Sequence, residues 1–404
     1  MMSRLLFRFT YVLTLLGMLS SCGWFGGDDN APEEIEPNPL PNISQEVDID
    51  VIWNRKIGDG AGDRAIRISP AVVGGRVFSA SASGQIKAMT TDTGREIWAV
   101  EVEDFYTEEE RVNGFSKKLD VITGGVGAGG DLIAVGTGSG DLLALNQSDG
   151  SFAWKVSASS EILAPPQIDD NIVVVQTIDG KVAAYDPDDG ARRWIYTSNI
   201  PSLTLRGTAT PIIFGEVVIA AFSNGRVSLL SKDQGLAGYD QRVGVSQGAS
   251  DLERLVDIDG ALALDGSRLY VASFQGRLVG IDLNSGRILW AEDASSIAGV
   301  GAGFGNVYLA TADSQVVAFN ASDGREVWRE DALLYRDINS PVTIGSYLAF
   351  TDFEGYLHLL AQSDGRFVGR RRLDSGGVRA PLISEGGRLF AMGNGGSLSA
   401  MEIR

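Results

Sequence analysis

The chain has 404 residues, 44% of them hydrophobic, with 51 glycines against 12 prolines and a formal net charge of -18. Such a composition suggests a strand-rich body with many turns, either one large all-β domain or about two or three average ones. The charge argues against a surface that grips nucleic acid or anionic lipid, which needs clustered Lys and Arg. Cys22 and His358 are the single cysteine and histidine, which leaves no internal disulfide, Cys/His zinc site or Cys-His or Ser-His catalytic pair in the body.

In chain order, residues 1–21 come first: Arg4 and Arg8, then an apolar run from Phe9 to Leu19, then small residues. This is the layout of a secretory signal peptide, and the run is short for a membrane span of about 20 residues. The ending Leu19-Ser20-Ser21-Cys22 resembles a bacterial lipobox, in which Cys22 would be lipidated and become the first mature residue. By the same resemblance Gly23, standing where Asp would retain a lipoprotein in the inner membrane, implies the outer membrane, with the body facing the periplasm. Residues 22–47 are acidic and carry Pro32, Pro37, Pro39 and Pro41. They read as an extended tether reaching up to roughly 80 Å, with Trp24 and Phe25 at the lipid interface.

From residue 48 onward the chain repeats itself. Seven segments share one layout, among them "GDLLALNQSDGSFAW" from Gly140, "GKVAAYDPDDGARRW" from Gly180 and "GRLVGIDLNSGRILW" from Gly276. Ten residues after the opening position all seven carry glycine: Gly94, Gly150, Gly190, Gly235, Gly286, Gly324 and Gly365. Fourteen after it six carry an aromatic (Trp98, Trp154, Trp194, Tyr239, Trp290 and Trp328), and Gly369 breaks the rule. An alternating apolar run, a polar loop closed by glycine and a second run form a hairpin signal. Two further runs lie upstream of each hairpin, so each unit is about four antiparallel strands, recurring every 38 to 56 residues.

Units of this size and period indicate a β-propeller. An eighth set, Val378 to Ile403, ends before its outer strand, while Asp48 to Gly58 supplies an orphan one with Trp53. The expectation is an all-β, eight-bladed propeller over residues 48–404, closed by the N-terminal strand. The aromatics are read as wedges between adjacent blades, each ring lying over the backbone near the opening glycine, where no side chain intervenes. "YDPDDG" (Tyr185–Gly190) looks like a calcium loop, but sister blades keep the glycine and vary the carboxylates. Asp186, Asp188 and Asp189 are therefore turn formers. His358 lies mid-strand and is read as structural, and the charged connector 103–120 is given no role.

The repeat resembles the tryptophan-docking motif of pyrroloquinoline-quinone dehydrogenases, and two families share it. The quinoprotein enzymes need a calcium and cofactor cage, often with a cysteine pair that this chain lacks. The BamB family of outer-membrane β-barrel assembly lipoproteins matches the lipobox, the tether and the length. It also matches "SLTLRGTATP" (Ser202–Pro211) and "DLERLVDIDGA" (Asp251–Ala261). That resemblance implies a scaffold without catalysis or cofactor, whose Leu203, Leu205, Arg206, Asp257 and Asp259 dock on the periplasmic domains of the barrel subunit BamA. A second expectation is that strand edges serve unfolded clients. A propeller binding another envelope partner is the remaining alternative.

Connector lengths support the transfer. The shortest gaps from an aromatic to the next opening position are 24 to 27 residues, whereas those after Trp194 and Tyr239 are 31 and 37. The extra residues fall in adjacent connectors on the face opposite the Asp-Gly hairpins. There the two aspartates are expected to orient Arg206 through charge-assisted hydrogen bonds.

Overall fold

Alternation in the sequence becomes alternation in burial. In the third blade, Lys181–Tyr185 is buried along most of its length, whereas the outer strand Arg192–Thr197 turns Trp194 inward and leaves its flanking residues exposed. A computed structural model of the chain describes residues 35–110, 122–245 and 250–404. The signal peptide, Cys22 and the first half of the tether therefore lie outside the described residues.

In blades one to seven the strands follow one another as inner, second, third and outer. The first blade, for example, is Ala71–Val73, Arg76–Ala80, Gln85–Thr90 and Glu96–Glu101. The described strands form eight four-stranded sheets, each antiparallel throughout, as expected for an eight-bladed propeller. In the eighth sheet, Ile49–Lys56 pairs with Ser397–Ile403, from Ile49 opposite Ile403 to Lys56 opposite Ser397. The two ends of the repeat thus complete one blade and remove two exposed edges.

The apolar residues gather into eight clusters, one at each joint between neighbouring blades. Seven of the eight joints are fastened at the rim by an aromatic, the exception being the joint at Gly369. The indole N–H of Trp98 donates to Gln147 O at 2.9 Å, that of Trp154 to Pro187 O at 2.7 Å, and that of Trp194 to Lys232 O at 2.8 Å. Trp53, Trp290 and Trp328 do the same to Thr91, Ala321 and Gln362. A register shift beside the aromatic, a β-bulge, re-aims it out of the blade plane.

The glycine beneath each ring is not the opening one, as the spacing suggested, but the hairpin glycine of the next blade. A Cβ on Gly190, for instance, would lie 2.7 Å from the Trp154 ring. Gly190 also has φ +72°, a left-handed backbone that other residues adopt at a cost. Gly369 now has an explanation. The eighth blade joins its outer strand through the chain ends and has no such hairpin to receive a ring, and Val47 packs there, 3.2 Å from a Cβ placed on Gly369.

The calcium-like stretch is a turn. Asp186 Oδ1 accepts from the Asp188 N–H at 2.9 Å, and Asp189 Oδ1 from Ala191 N–H at 2.8 Å. The carboxylates serve their own backbone.

Two measurements follow from the joints. Gly190→Ala should destabilise the protein by about 2–4 kcal/mol in chemical denaturation, through positive φ and displacement of the Trp154 ring. Gly305→Ala, with φ +75° but open space around the Cβ, should cost only about 1 kcal/mol. Tyr239 replaces tryptophan at the joint between blades four and five, and its buried hydroxyl has no hydrogen-bond partner among the described residues. Tyr239→Trp should raise stability by about 1 kcal/mol by supplying the missing indole donor, visible as a higher unfolding midpoint.

Candidate docking surface on the connector face

Within a blade the chain turns three times, so the connector to the next blade leaves from the end opposite the Asp-Gly hairpin. All eight connectors therefore share one face. They line an axial funnel of about 330 Å³ that includes Arg67, Thr123, Leu163, Arg206, Asp259 and Arg379.

The connector between blades three and four presents Leu203, 46% exposed. Leu205 is half-buried and Arg206 exposed. Arg206 reaches Glu161, on the preceding connector, at 3.5 Å. In water such a pair contributes little, so the guanidinium remains open to a partner. Next to it, the connector between blades four and five carries Leu252, 64% exposed.

The structure corrects the expected role of the two aspartates. Asp257 and Asp259 are 1% and 6% exposed, and neither is hydrogen-bonded to Arg206 among the described residues. Asp257 Oδ2 instead accepts the backbone N–H of Leu205 at 2.5 Å, tying one connector to the other. Asp259 lies under Gly207, where a Cβ would come within 2.8 Å of its carboxyl carbon. Buried beneath the loop, the pair supports the surface that Leu203 and Arg206 present.

That support is electrostatically costly. Asp257 Oδ1 and Asp259 Oδ1 are buried without a hydrogen-bond partner among the described residues. Burial pushes the Asp257 carboxyl up to about 6, against the pull of the Leu205 N–H. Burial and the neighbouring Asp257 charge push Asp259 up to about 7, with Arg67 acting the other way.

Sequence reasoning named five residues, which the structure places on or beneath two neighbouring connectors, and did not single out Glu161, Gly207 or Leu252. Glu161 lies 45 residues from Arg206 and nothing local links them. Gly207 directly follows Arg206, and that adjacency was the available signal. In the 103–120 connector, Phe105 stacks on Phe152, Tyr106 donates to Asp141, and Glu110 pairs with Lys155. Its residues 111–121 lie outside the described residues.

A closed propeller with tryptophan-fastened joints and a loop-built face defines the class: a rigid ring that displays a surface assembled from its connectors. A family model described as outer membrane protein assembly factor BamB matches residues 82–330 and 312–404. The protein of that name from Pseudomonas aeruginosa is 41% identical over 379 residues, covering 94% of this chain and 96% of that protein. The Escherichia coli protein of that name is 30% identical over 382 residues, covering 94% and 95%. The crystal structure of BamB from Moraxella catarrhalis superposes with a TM-score of 0.77 at 29% identity, covering 88% of this chain and 99% of that one. A quinohemoprotein alcohol dehydrogenase from Comamonas testosteroni shares the fold, with a TM-score of 0.66 at 14% identity over 88% of this chain and 76% of that one. This chain belongs to the family of the outer membrane protein assembly factor BamB.

The raised carboxyls give the fold a pH dependence of known sign. Below about pH 4 both aspartates are protonated folded or unfolded, and nothing is lost. As pH rises toward 7 the unfolded chain releases protons that the folded one retains, so stability falls. Asp259→Asn should therefore stabilise the protein at pH 8, by on the order of 3 kcal/mol, and give no gain at pH 4. Denaturant titrations across that range would read the difference.

Proposed function

We propose that this chain is a non-catalytic scaffold of the outer-membrane β-barrel assembly complex, held in the outer membrane by a lipid on Cys22 and facing the periplasm. Its connector face docks on the periplasmic domains of the barrel subunit BamA. The observation that carries this reading is the exposed Leu203 and Arg206 loop, held from below by Asp257 through the Leu205 N–H. An exposed apolar side chain beside a weakly paired guanidinium suits a small anchor with a charged rim.

Leu203 and Arg206 make the contact, and Leu205, Asp257 and Asp259 set the loop's position. The names of the family's members support membership in outer-membrane assembly. Among the described residues, the outer strands of blades one to six leave their edges uncovered by another strand, which is the geometry that β-augmentation by an unfolded client would need.

Arg206→Glu should reduce capture of the barrel subunit from detergent-solubilised outer membranes at least tenfold while leaving the unfolding midpoint within about 0.5 kcal/mol of the parent, as for a surface substitution. Asp257→Ala should weaken capture by releasing the loop, with the exposed contact residues intact. Full-strength recovery of the barrel subunit by the Arg206→Glu chain would sink the docking role.

A further inference from the structure

The tether is not free up to the first strand. Residues 37–47 lie as a strap along the seventh blade, whose outer strand is Phe367–Arg372. Val47 N–H donates to Val368 O at 3.2 Å and Glu46 pairs with Arg366 at 3.0 Å, near the Asp-Gly hairpin of that blade. Further up the chain, Pro41 O accepts from Arg370 at 2.9 Å. Asn38 then donates to Leu334 O at 3.0 Å and accepts from Arg336 at 3.0 Å. Leu40 packs into the joint between blades six and seven.

The two arginines are fixed from within. Arg336 is 3% exposed and donates to Asp352 Oδ2 at 2.9 Å. Arg370 Nε donates to His358 Nδ1 at 3.2 Å, and His358 Nε2 donates to Asp352 Oδ2 at 3.1 Å. Burial holds the imidazole below its ordinary range and hence neutral, in the tautomer these bonds require. His358, the chain's one histidine, thus joins both guanidinium groups into one network that reserves a donor on each for a strap carbonyl.

The strap has a direction. Val47 sits at the hairpin end of the blade, while Asn38 sits at Leu334, in the connector between blades six and seven. The strap therefore begins, at Pro37, on the connector face. From Cys22 to Glu36 only 15 residues remain, which span at most about 50 Å when fully extended. Reaching lipid from the other face would use up about half of that in running back past the blade, whose six-residue third strand alone is about 20 Å long.

The geometry points to an anchoring strap that sets how the propeller hangs from the bilayer, with the connector face turned toward lipid and the Asp-Gly hairpins turned away. This rests on the reading of Cys22 as the lipid attachment. The loop bearing Leu203 and Arg206 shares the connector face, so its partner would be held between the propeller and the membrane.

The test uses the lipidated full-length chain on phosphatidylethanolamine–phosphatidylglycerol vesicles that carry a headgroup acceptor dye. Donor fluorophores are placed on Asp331→Cys at the connector face and on Ser322→Cys at the hairpin face of the sixth blade. Energy transfer should be at least twofold greater from position 331 than from 322. Leu40→Ser, which loosens the strap, should erase the difference while vesicle flotation is unchanged. In the parent chain, hydrogen exchange should be slow at the Asn38 and Glu46 amides. Equal or reversed transfer with flotation intact, or fast exchange at both amides, would overturn the strap. Loss of flotation in the parent would instead overturn the lipid reading.

Discussion

Seven of the eight joints of the ring depend on one contact: an aromatic side chain leaves the outer strand of its blade and lays its face on a glycine of the next. At six joints the contact includes an indole N–H bound to a carbonyl. The contact needs three local choices to agree. A bulge must aim the aromatic, the neighbour's turn must take positive φ, and no Cβ may stand beneath the ring. Because the blades touch chiefly their neighbours, a failure at one joint opens the ring rather than being absorbed elsewhere. The hairpin face is therefore tightly prescribed in sequence.

The connector face carries no such prescription. Its loops vary in length, and two long neighbours have been joined into a single surface. Leu205 gives its N–H to a buried carboxylate of the next connector, and Gly207 makes room for a second. Two adjacent acids whose oxygens lack partners among the described residues are a poor choice for stability, and their raised pKa values record the cost of burying charge. A loop held in place by buried charge keeps its exposed residues available, which an apolar plug drawing Leu203 inward would not do. Stability has been given up locally for display.

How much of this was legible in sequence depends on where the cause lies. The propeller, its blade number and its closure by both ends were legible, because Gly and Trp recur at fixed offsets for a local reason. Which glycine receives each ring was not, since fourteen residues of spacing describe one blade and the contact belongs to two. Arg206 and the aspartates looked like an ion pair because their charges are opposite and their loops adjacent. Burial decided otherwise: a carboxylate facing inward takes the nearest N–H, and the exposed guanidinium finds Glu161. The strap read as a linker because its proline-rich composition cannot form a core alone. What holds it are arginines about 300 residues further along the chain.

The eighth blade has a consequence for how the protein is made. Among the described strands, its outer strand comes first in the chain and its third strand last. A chain emerging N-terminal end first brings Ile49–Lys56 into the open long before Ser397–Ile403 arrives. The early strand has to wait, unpaired, for almost the whole of synthesis, and the loop it closes is about the largest the fold allows, which makes closure slow. The ring thereby closes only when both end strands are present. A product missing its last strand presents an open edge and an uncovered apolar joint, features that distinguish it from the finished molecule for any protease that patrols the compartment.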